Sequence, residues 1–295
     1  MSESNGRIRA LRLGAALCAA AALAGCQGST SAQEPRGAAS ARTPAPSAPN
    51  APRATSPGPS PDAKRPQVDA KPLTGRVVVL DPGHNPGNRR HPAEINRRVD
   101  VGTHAKECDT TGTATNDGYS EAAFTLDVAR RARELLRAQG AVVRLTQDGE
   151  RAWGPCIDER AAIGNRAHAD AVVSIHADGA GAGDRGFHVI LPAPVHEGGA
   201  DNRAVVGISR ELGEALKAAF ARRTGSPVSN YTGGGSGFTV RSDLGGLNLS
   251  TVPKVFIECG NMRDRQDAAR LKDADWRQRA AQGVAAGVAA FLGGQ

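Results

Sequence analysis

Large apolar side chains are scarce in the first quarter of this 295-residue chain. Residues 27–72 hold most of the proline and much of the serine, and such a segment buries too little surface to offset the entropy lost on ordering. The chain also lacks internal repeats, which excludes a repeat architecture. We therefore predict a disordered tether over residues 27–74 and one folded domain over residues 75–295.

An apolar run long enough to span a bilayer comfortably is also lacking at the N-terminus. Three arginines precede the apolar residues 13–24, which end at Gly25 and Cys26. This order of charged, apolar and small residues predicts an export signal over residues 1–26. Residues 23–26 resemble a bacterial lipoprotein cleavage box, which would make Cys26 the lipidated first residue of the mature chain. Ordinary signal cleavage and a retained anchor are the alternatives.

The folded part has little excess charge. Of the formal net charge of +7, residues 1–26 carry +2 and residues 27–72 carry +3, which leaves +2 for the rest. Nucleic-acid binding would need a basic face on the domain itself, so we exclude that class. A basic tail beside an apolar anchor suits anionic lipid or wall polymer. We expect an exported protein, lipid-anchored at the outer face of the cytoplasmic membrane or in the cell wall.

Cysteines are few, and two of the five, Cys18 and Cys26, lie in the export signal. Cys108 and Cys156 both lie in irregular, polar, glycine-rich surroundings. Because an exported domain meets an oxidising compartment, we predict a disulfide between them, which would add roughly 4 kcal/mol in the chain-entropy model. Cys259 would then be a buried free thiol. Three unpaired thiols are the alternative.

From Leu73 onward, short β-branched runs alternate with helical patterns. Several of the runs are apolar throughout, as in strands covered on both faces. This alternation predicts a three-layer α/β domain with a mainly parallel, twisted sheet of about six strands and helices on both faces. The predicted strands are Arg76–Asp81, Ala141–Thr146, Ala171–His176, Gly186–Leu191, Phe238–Arg241 and Lys254–Glu258. The predicted helices are Ser120–Gln139, Asp158–His168, Asn202–Arg223, Asp264–Lys272 and Asp275–Leu292.

Four residues that are far apart in sequence are the candidate site. His84, His176 and Glu258 follow or end predicted strands, at the sheet edge where ligands bind in open α/β folds. Glu121 begins the apolar stripe of the first long helix, where a lone carboxylate needs a positive partner. A first-turn acid that complements the helix dipole is the alternative for Glu121. Two imidazoles and a carboxylate indicate one catalytic zinc ion with an open position for water.

Glu258 is better placed as the base that takes a proton from that water and passes it to a leaving nitrogen. Asp81 and Asp178 flank the histidines and are expected either to orient them or to cap turns. The other histidines are interpreted as solvated or structural. The long stretch between Pro82 and Gly118 is expected to border the site.

The motifs, in this order, resemble those of the zinc-dependent N-acetylmuramoyl-L-alanine amidases of bacterial cell walls. Those enzymes begin with a strand followed by Asp-Pro-Gly-His, as at residues 81–84, and carry a Ser-Ile-His-Ala-Asp segment, as at residues 174–178. The resemblance extends from about Arg76 to Leu292. The enlarged first loop that contains Cys108 looks like that of actinobacterial members.

This resemblance implies hydrolysis of the amide between the lactyl group of muramic acid and L-alanine in peptidoglycan. It carries His84, Glu121 and His176 over as zinc ligands and Glu258 as the catalytic acid. Arg241 and Asp243, in a glycine-rich segment, are candidates for binding the peptide, and a mobile linker is the alternative there. We expect a monomer. The alternative functions are another zinc peptidase that acts on wall peptides and a non-catalytic peptidoglycan-binding module.

Overall fold

The computed structural model describes residues 71–294, so the predicted export signal, Cys26 and nearly all of the predicted tether lie outside the described residues. The predicted end of the tether at residue 74 was wrong, because Leu73 is buried and packs in the apolar core of the domain. The helices are α1 (Pro92–Ile95), α2 (Glu121–Ala138), α3 (Ile157–Arg166), α4 (Val206–Thr224), α5 (Gly245–Asn248), α6 (Arg265–Lys272) and α7 (Ala274–Gly293). The strands are β1 (Val77–Pro82), β2 (Arg98–Asp100), β3 (Ala105–Glu107), β4 (Val142–Leu145), β5 (Ala171–Asp178), β6 (His188–Pro192), β7 (His196–Glu197), β8 (Ala200–Asp201), β9 (Phe238–Arg241) and β10 (Lys254–Asn261).

Six strands form the central sheet, in the order β4-β1-β5-β10-β6-β9. The first four run parallel to one another, whereas β6 is antiparallel to β10 and β9 is parallel to β6. The mainly parallel sheet of six strands is therefore confirmed. The antiparallel pairing places β6 next to β10, the strand that carries Glu258.

Helices cover both faces of the sheet, as the three-layer prediction requires. On one face α2, α4 and α7 pack together over the main apolar core, to which alternate residues of β1, β5, β6 and β10 contribute. On the other face lie α3 and α5, with a smaller apolar cluster that includes Val79 and Val172. The polar side chains that alternate with the core residues of β5 and β10 therefore face the α3 and α5 side.

Helix boundaries follow the signals in the sequence. Ser120 caps α2 through its side chain, which accepts a hydrogen bond from the backbone N–H of Ala123. Asp264 and Asp273 cap α6 and α7 in the same way. No helix within residues 71–294 combines the length and apolar character needed to cross a bilayer.

The stretch between Pro82 and Gly118 forms a lobe beside the sheet. It contains α1 and the antiparallel hairpin of β2 and β3. The predicted disulfide between Cys108 and Cys156 joins this lobe to the start of α3, and both cysteines are buried. Cys259, the remaining cysteine of the described part, is a buried free thiol, as predicted.

Candidate active site

The four predicted residues converge at one edge of the sheet. His84 follows β1, His176 lies in β5 and Glu258 in β10, while Glu121 is the first residue of α2. One groove of about 450 Å³ is lined by all four side chains. The sequence therefore predicted correctly that these residues meet.

The tight turn after β1 explains why glycine precedes His84. A Cβ atom built on Gly83 would lie 2.3 Å from Cε1 of His176, so a larger residue would displace that ring. His84 itself adopts a φ of 62°, a left-handed conformation that side chains other than glycine rarely take. The turn thus places the two imidazoles with their ring centroids 5.0 Å apart.

Hydrogen bonds fix which nitrogen of His84 faces the groove. Nδ1 lies 3.1 Å from the backbone carbonyl of Thr110 and 3.4 Å from Oδ1 of Asp109. These acceptors hold a proton on Nδ1, so Nε2 is the nitrogen that can bind a metal ion, once it gives up its own proton. Nε2 lies 3.2 Å from Oε2 of Glu121.

Glu121 is buried and bridges the two histidines. Its Oε1 lies 2.9 Å from Nδ1 of His176, and its Oε2 accepts a hydrogen bond from the backbone N–H of Thr113. Burial opposes ionisation of this carboxyl, yet His84 and His176 hold its pKa well below its usual range. Burial lowers the pKa of His84, but the carboxylate outweighs that effect and raises it to about 10. The buried carboxylate of Glu121 therefore favours a positive charge beside it.

This cluster meets the chemical requirements of a divalent cation site. His84, Glu121 and His176 each offer one ligand atom, and these atoms all lie within 4.8 Å of one another. Two nitrogen donors and one oxygen donor form a set that zinc accepts. His176 is further held by stacking on Phe256, with ring centroids 5.2 Å apart.

Glu258 lies in the same groove but outside the ligand cluster. Its Oε2 is buried and has no hydrogen-bond partner among the described residues. Burial, together with the charges of Glu121 and Asp178, raises the pKa of Glu258 well above its usual value. A carboxyl group with a raised pKa beside a reaction centre is suited to receive and return a proton near neutral pH.

A chain of buried charges that the sequence did not reveal supports the floor of the site. Arg160 donates to the backbone carbonyl of His84 at 2.9 Å and to Oδ2 of Asp109 at 3.0 Å. It also donates to Oδ1 of Asp81, whose Oδ2 accepts from Nζ of Lys254 at 3.0 Å. The aspartate that contacts the His84 ring is therefore Asp109, whereas Asp81, which was predicted for that role, pairs with Arg160 and Lys254.

The remaining predicted residues lie at the far side of the groove. Asp178 accepts a hydrogen bond from the hydroxyl of Tyr231 at 2.9 Å. Arg241 lines the groove and donates to both oxygens of Asp243, so the guanidinium is held in one orientation. Asp243 does not line this groove itself but holds Arg241, which does.

Comparison with known proteins agrees with this arrangement. The family model Amidase_3, described as N-acetylmuramoyl-L-alanine amidase, matches residues 78–290. The chain belongs to this amidase family. An N-acetylmuramoyl-L-alanine amidase of Mycobacterium tuberculosis is 40% identical to this chain over 224 residues. These residues make up 76% of this chain and 89% of that protein.

Solved structures extend the likeness to the fold. The amidase Ami1 of Mycobacterium smegmatis matches with a TM-score of 0.70 and 42% identity, covering 76% of this chain and 99% of that chain. Ami1 of Mycobacterium abscessus matches with a TM-score of 0.66 and 41% identity, covering 75% and 100%. The resemblance inferred from the motifs is therefore confirmed, including its actinobacterial character. The amidase is a peptidoglycan hydrolase, and its relatives indicate that it acts at the cell wall.

Proposed function

We propose that the amidase cleaves the amide between the lactyl group of N-acetylmuramic acid and L-alanine with one zinc ion held by His84, Glu121 and His176. The convergence of these three ligand atoms within 4.8 Å, beside Glu258, carries the proposal. The hydrogen bond from His84 Nδ1 to Thr110 supports it, because it leaves Nε2 free to bind metal.

Zinc bound here would polarise the scissile carbonyl and lower the pKa of its water to about 7. Glu258 takes the proton of the attacking water as the new carbon–oxygen bond forms. It then delivers that proton to the amide nitrogen as the carbon–nitrogen bond breaks, so the peptide leaves with a neutral amine. The raised pKa of Glu258 favours this second step, because the protonated carboxyl persists until the nitrogen needs it.

We infer that Arg241 binds a carboxylate or amide of the peptide, and that Asp243 keeps its guanidinium in place. The two hydrogen bonds from Arg241 to Asp243 support this division of roles. Only Arg241 of the pair lines the groove.

The function is tested on the purified chain by metal analysis and by product analysis with a muramoyl peptide. We expect one zinc per chain, and free muramoyl sugar together with a peptide that begins with L-alanine. Release of D-alanine would instead identify a carboxypeptidase. Binding of peptidoglycan without any cleavage by zinc-loaded protein would indicate a binding module.

Asp109 offers a test of how the metal site is held. Replacing Asp109 by Asn keeps the shape of the side chain but removes the charge beside His84 and Arg160. We expect the zinc affinity to fall about 10- to 100-fold, the usual effect of losing such a partner. Competition with a fluorescent chelator measures it. Asp275→Asn, at an exposed position in α7, is the control, and equal affinities of the two variants would contradict the role of Asp109.

We further propose that residues 1–26 direct export, that Cys26 carries lipid, and that residues 27–70 tether the domain to the membrane. The order of charged, apolar and small residues supports this, as does the low content of large apolar side chains in residues 27–72. Mass spectrometry of the mature protein tests it. A mature N-terminus other than a lipid-modified Cys26 would argue against the anchor.

A further inference from the structure

A pocket of about 150 Å³ opens from the catalytic groove, and we call it the inner pocket. His84 and His176 line both the groove and the pocket, so the two are continuous. Glu258 lines the groove but not the pocket. The residues that line the inner pocket include Asp81, Lys106, Ile157, Ser174, Leu244 and Phe256.

The central sheet forms the floor of the inner pocket. Asp81 of β1, Ser174 of β5 and Phe256 of β10 lie side by side in register there. The next row of side chains on the same face holds His176 and Glu258, which are also paired in register. Two residues of a strand span about 6.6 Å, so the floor lies roughly that far from the row that carries the proposed chemistry.

Apolar groups form much of the wall of the inner pocket. Ile157 of α3, Leu244 just before α5 and the ring of Phe256 all line it. Gly245, at the start of α5, has no room for a side chain, because a Cβ atom there would lie 2.4 Å from Cγ1 of Val101. The packing of α5 against the lobe therefore fixes the shape of the pocket. A small apolar group that enters it is removed from water, which favours binding.

The carboxylates that line the inner pocket already have cationic partners. Asp81 and Asp109 are both paired with Arg160, and Glu107 is paired with Arg98. A cationic group that entered the pocket would lose its water and would find no free counter-charge. The pocket is therefore suited to a neutral group.

Lys106 supplies a polar contact at the wall. Its ammonium group donates to the backbone carbonyl of Asp243 at 3.4 Å, a long hydrogen bond that leaves donors available. A carbonyl oxygen of a ligand can accept from this group, while a methyl group packs against Ile157 and Phe256. An acetamido group combines these two parts and carries no charge.

The proposed reaction gives the inner pocket a defined side of the substrate. Glu258 protonates the leaving nitrogen, so the peptide lies on the Glu258 side of the reacting carbon. The lactyl group and the sugar are the other substituent of that carbon, and they extend away from Glu258. The inner pocket opens on that side, below His84 and His176.

From this geometry we propose that the inner pocket binds the 2-acetamido group of muramic acid, so that the amidase selects glycan that is N-acetylated. The inference rests on the proposed function, which sets the direction of the substrate. Five covalent bonds join the reacting carbon to the acetamido nitrogen, a reach of about 6 Å that matches the depth of the floor. The lactyl methyl group is only two bonds from the reacting carbon, so it stays beside the histidines.

The first test compares two muramoyl dipeptides on the full zinc-loaded chain, one with the 2-acetamido group and one with a free 2-amino group. We expect kcat/KM to be at least about tenfold lower for the free amine, because its charge would be buried without a partner. Equal values for the two substrates would overturn the proposed subsite. A wild-type protein that cleaves neither dipeptide would overturn the proposed function, and the inference with it.

The second test enlarges the pocket. Ile157→Ala removes part of the wall, so we expect the ratio of kcat/KM for an N-butyryl muramoyl dipeptide to that for the N-acetyl substrate to rise about tenfold. Ile157→Val should raise the ratio less, in the same direction, and it decides the matter if Ile157→Ala does not fold. Ile208→Ala is the matched control, because Ile208 is also half-buried but lies in α4, on the other face of the sheet.

An unchanged ratio in a folded Ile157 variant, or an equal rise in Ile208→Ala, would overturn the subsite alone. Binding to the metal-free full chain gives a readout that does not depend on turnover. In an NMR titration, N-acetylmuramic acid should bind at least about tenfold more tightly than muramic acid, which has the same lactyl group but a free amine. Equal affinities would argue against the inner pocket as the acetamido site.

Discussion

Replacing Glu258 by Gln is expected to lower kcat about 10²- to 10⁴-fold, the range that general acid–base catalysis supplies, while leaving zinc bound. Glutamine has nearly the same shape but cannot accept and return a proton. Glu258 lines the catalytic groove outside the cluster of ligand atoms, which is why metal content should persist. Steady-state kinetics and metal analysis on the same sample measure the two effects.

Glu214→Gln is the matched control, because Glu214 lies at an exposed position in α4. Loss of zinc from Glu258→Gln would make Glu258 a fourth ligand. Retention of near wild-type turnover would remove it from the reaction altogether.

The same substitution has a second expected effect, on the stability of the metal-free protein. Burial, with Glu121 and Asp178 nearby, raises the pKa of Glu258 in the folded state above the value of about 4.3 in the unfolded chain. The folded state therefore binds more protons between these two pKa values, and stability falls as pH rises through that window. Glu258→Gln has no carboxyl group to ionise, so its stability does not fall in this pH window. Its unfolding midpoint at pH 7 should exceed that of the wild type, and the difference should vanish below about pH 4.

Replacing Asp81 by Asn is expected to destabilise the fold by about 3–5 kcal/mol, the usual cost of breaking a buried ion pair from one side. Asp81 accepts from Arg160 at 2.9 Å and from Lys254 at 3.0 Å, and all three side chains are at least 94% buried. Its removal leaves two buried cations without their counter-charge. Urea unfolding at pH 7 measures the loss.

A surface ion pair provides the control. Asp148 pairs with Arg130 and Arg133 at partly exposed positions, so Asp148→Asn should cost no more than about 1 kcal/mol. Adding Lys254→Met to Asp81→Asn should recover part of the stability, because one uncompensated cation is removed. Equal costs for Asp81→Asn and Asp148→Asn would contradict the buried network.

The pH dependence of this effect has a defined sign. Burial opposes ionisation of Asp81, but Lys254 and Arg160 outweigh it and hold its pKa well below the value of about 3.9 in an unfolded chain. The contribution of ionised Asp81 to the free energy of unfolding is therefore present above about pH 4, and it is lost as the pH falls below that value. The gap in stability between the wild type and Asp81→Asn should narrow in acid.

The fold and the four residues of the candidate site were predictable because each had a local signal. β-branched runs and helical spacing located the six strands of the sheet and the long helices. His84, His176 and Glu258 follow from the rule that strand ends converge in such sheets. The direction of β6 was not predictable, since periodicity shows which residues are buried but not which way a strand runs.

The supporting residues had weaker signals or none. Asp109 lies 51 positions from Arg160, which it contacts, and Lys254 lies 173 positions from Asp81. No pattern in a single sequence reveals pairs so far apart. Arg160 could have been suspected, because it lies beside Ala161 and four residues before Gly164 on the buried face of α3.

The cystine that joins Cys108 to Cys156 links assembly of the catalytic edge to the cellular compartment. It holds the residue before Asp109 against the residue that precedes α3, the helix of Arg160. In the reducing cytoplasm these two segments would be held by non-covalent contacts alone. We expect the proposed zinc site to reach its full affinity only once this disulfide has formed, so an enzyme able to dissolve the wall would mature on the side of the membrane where the wall is found.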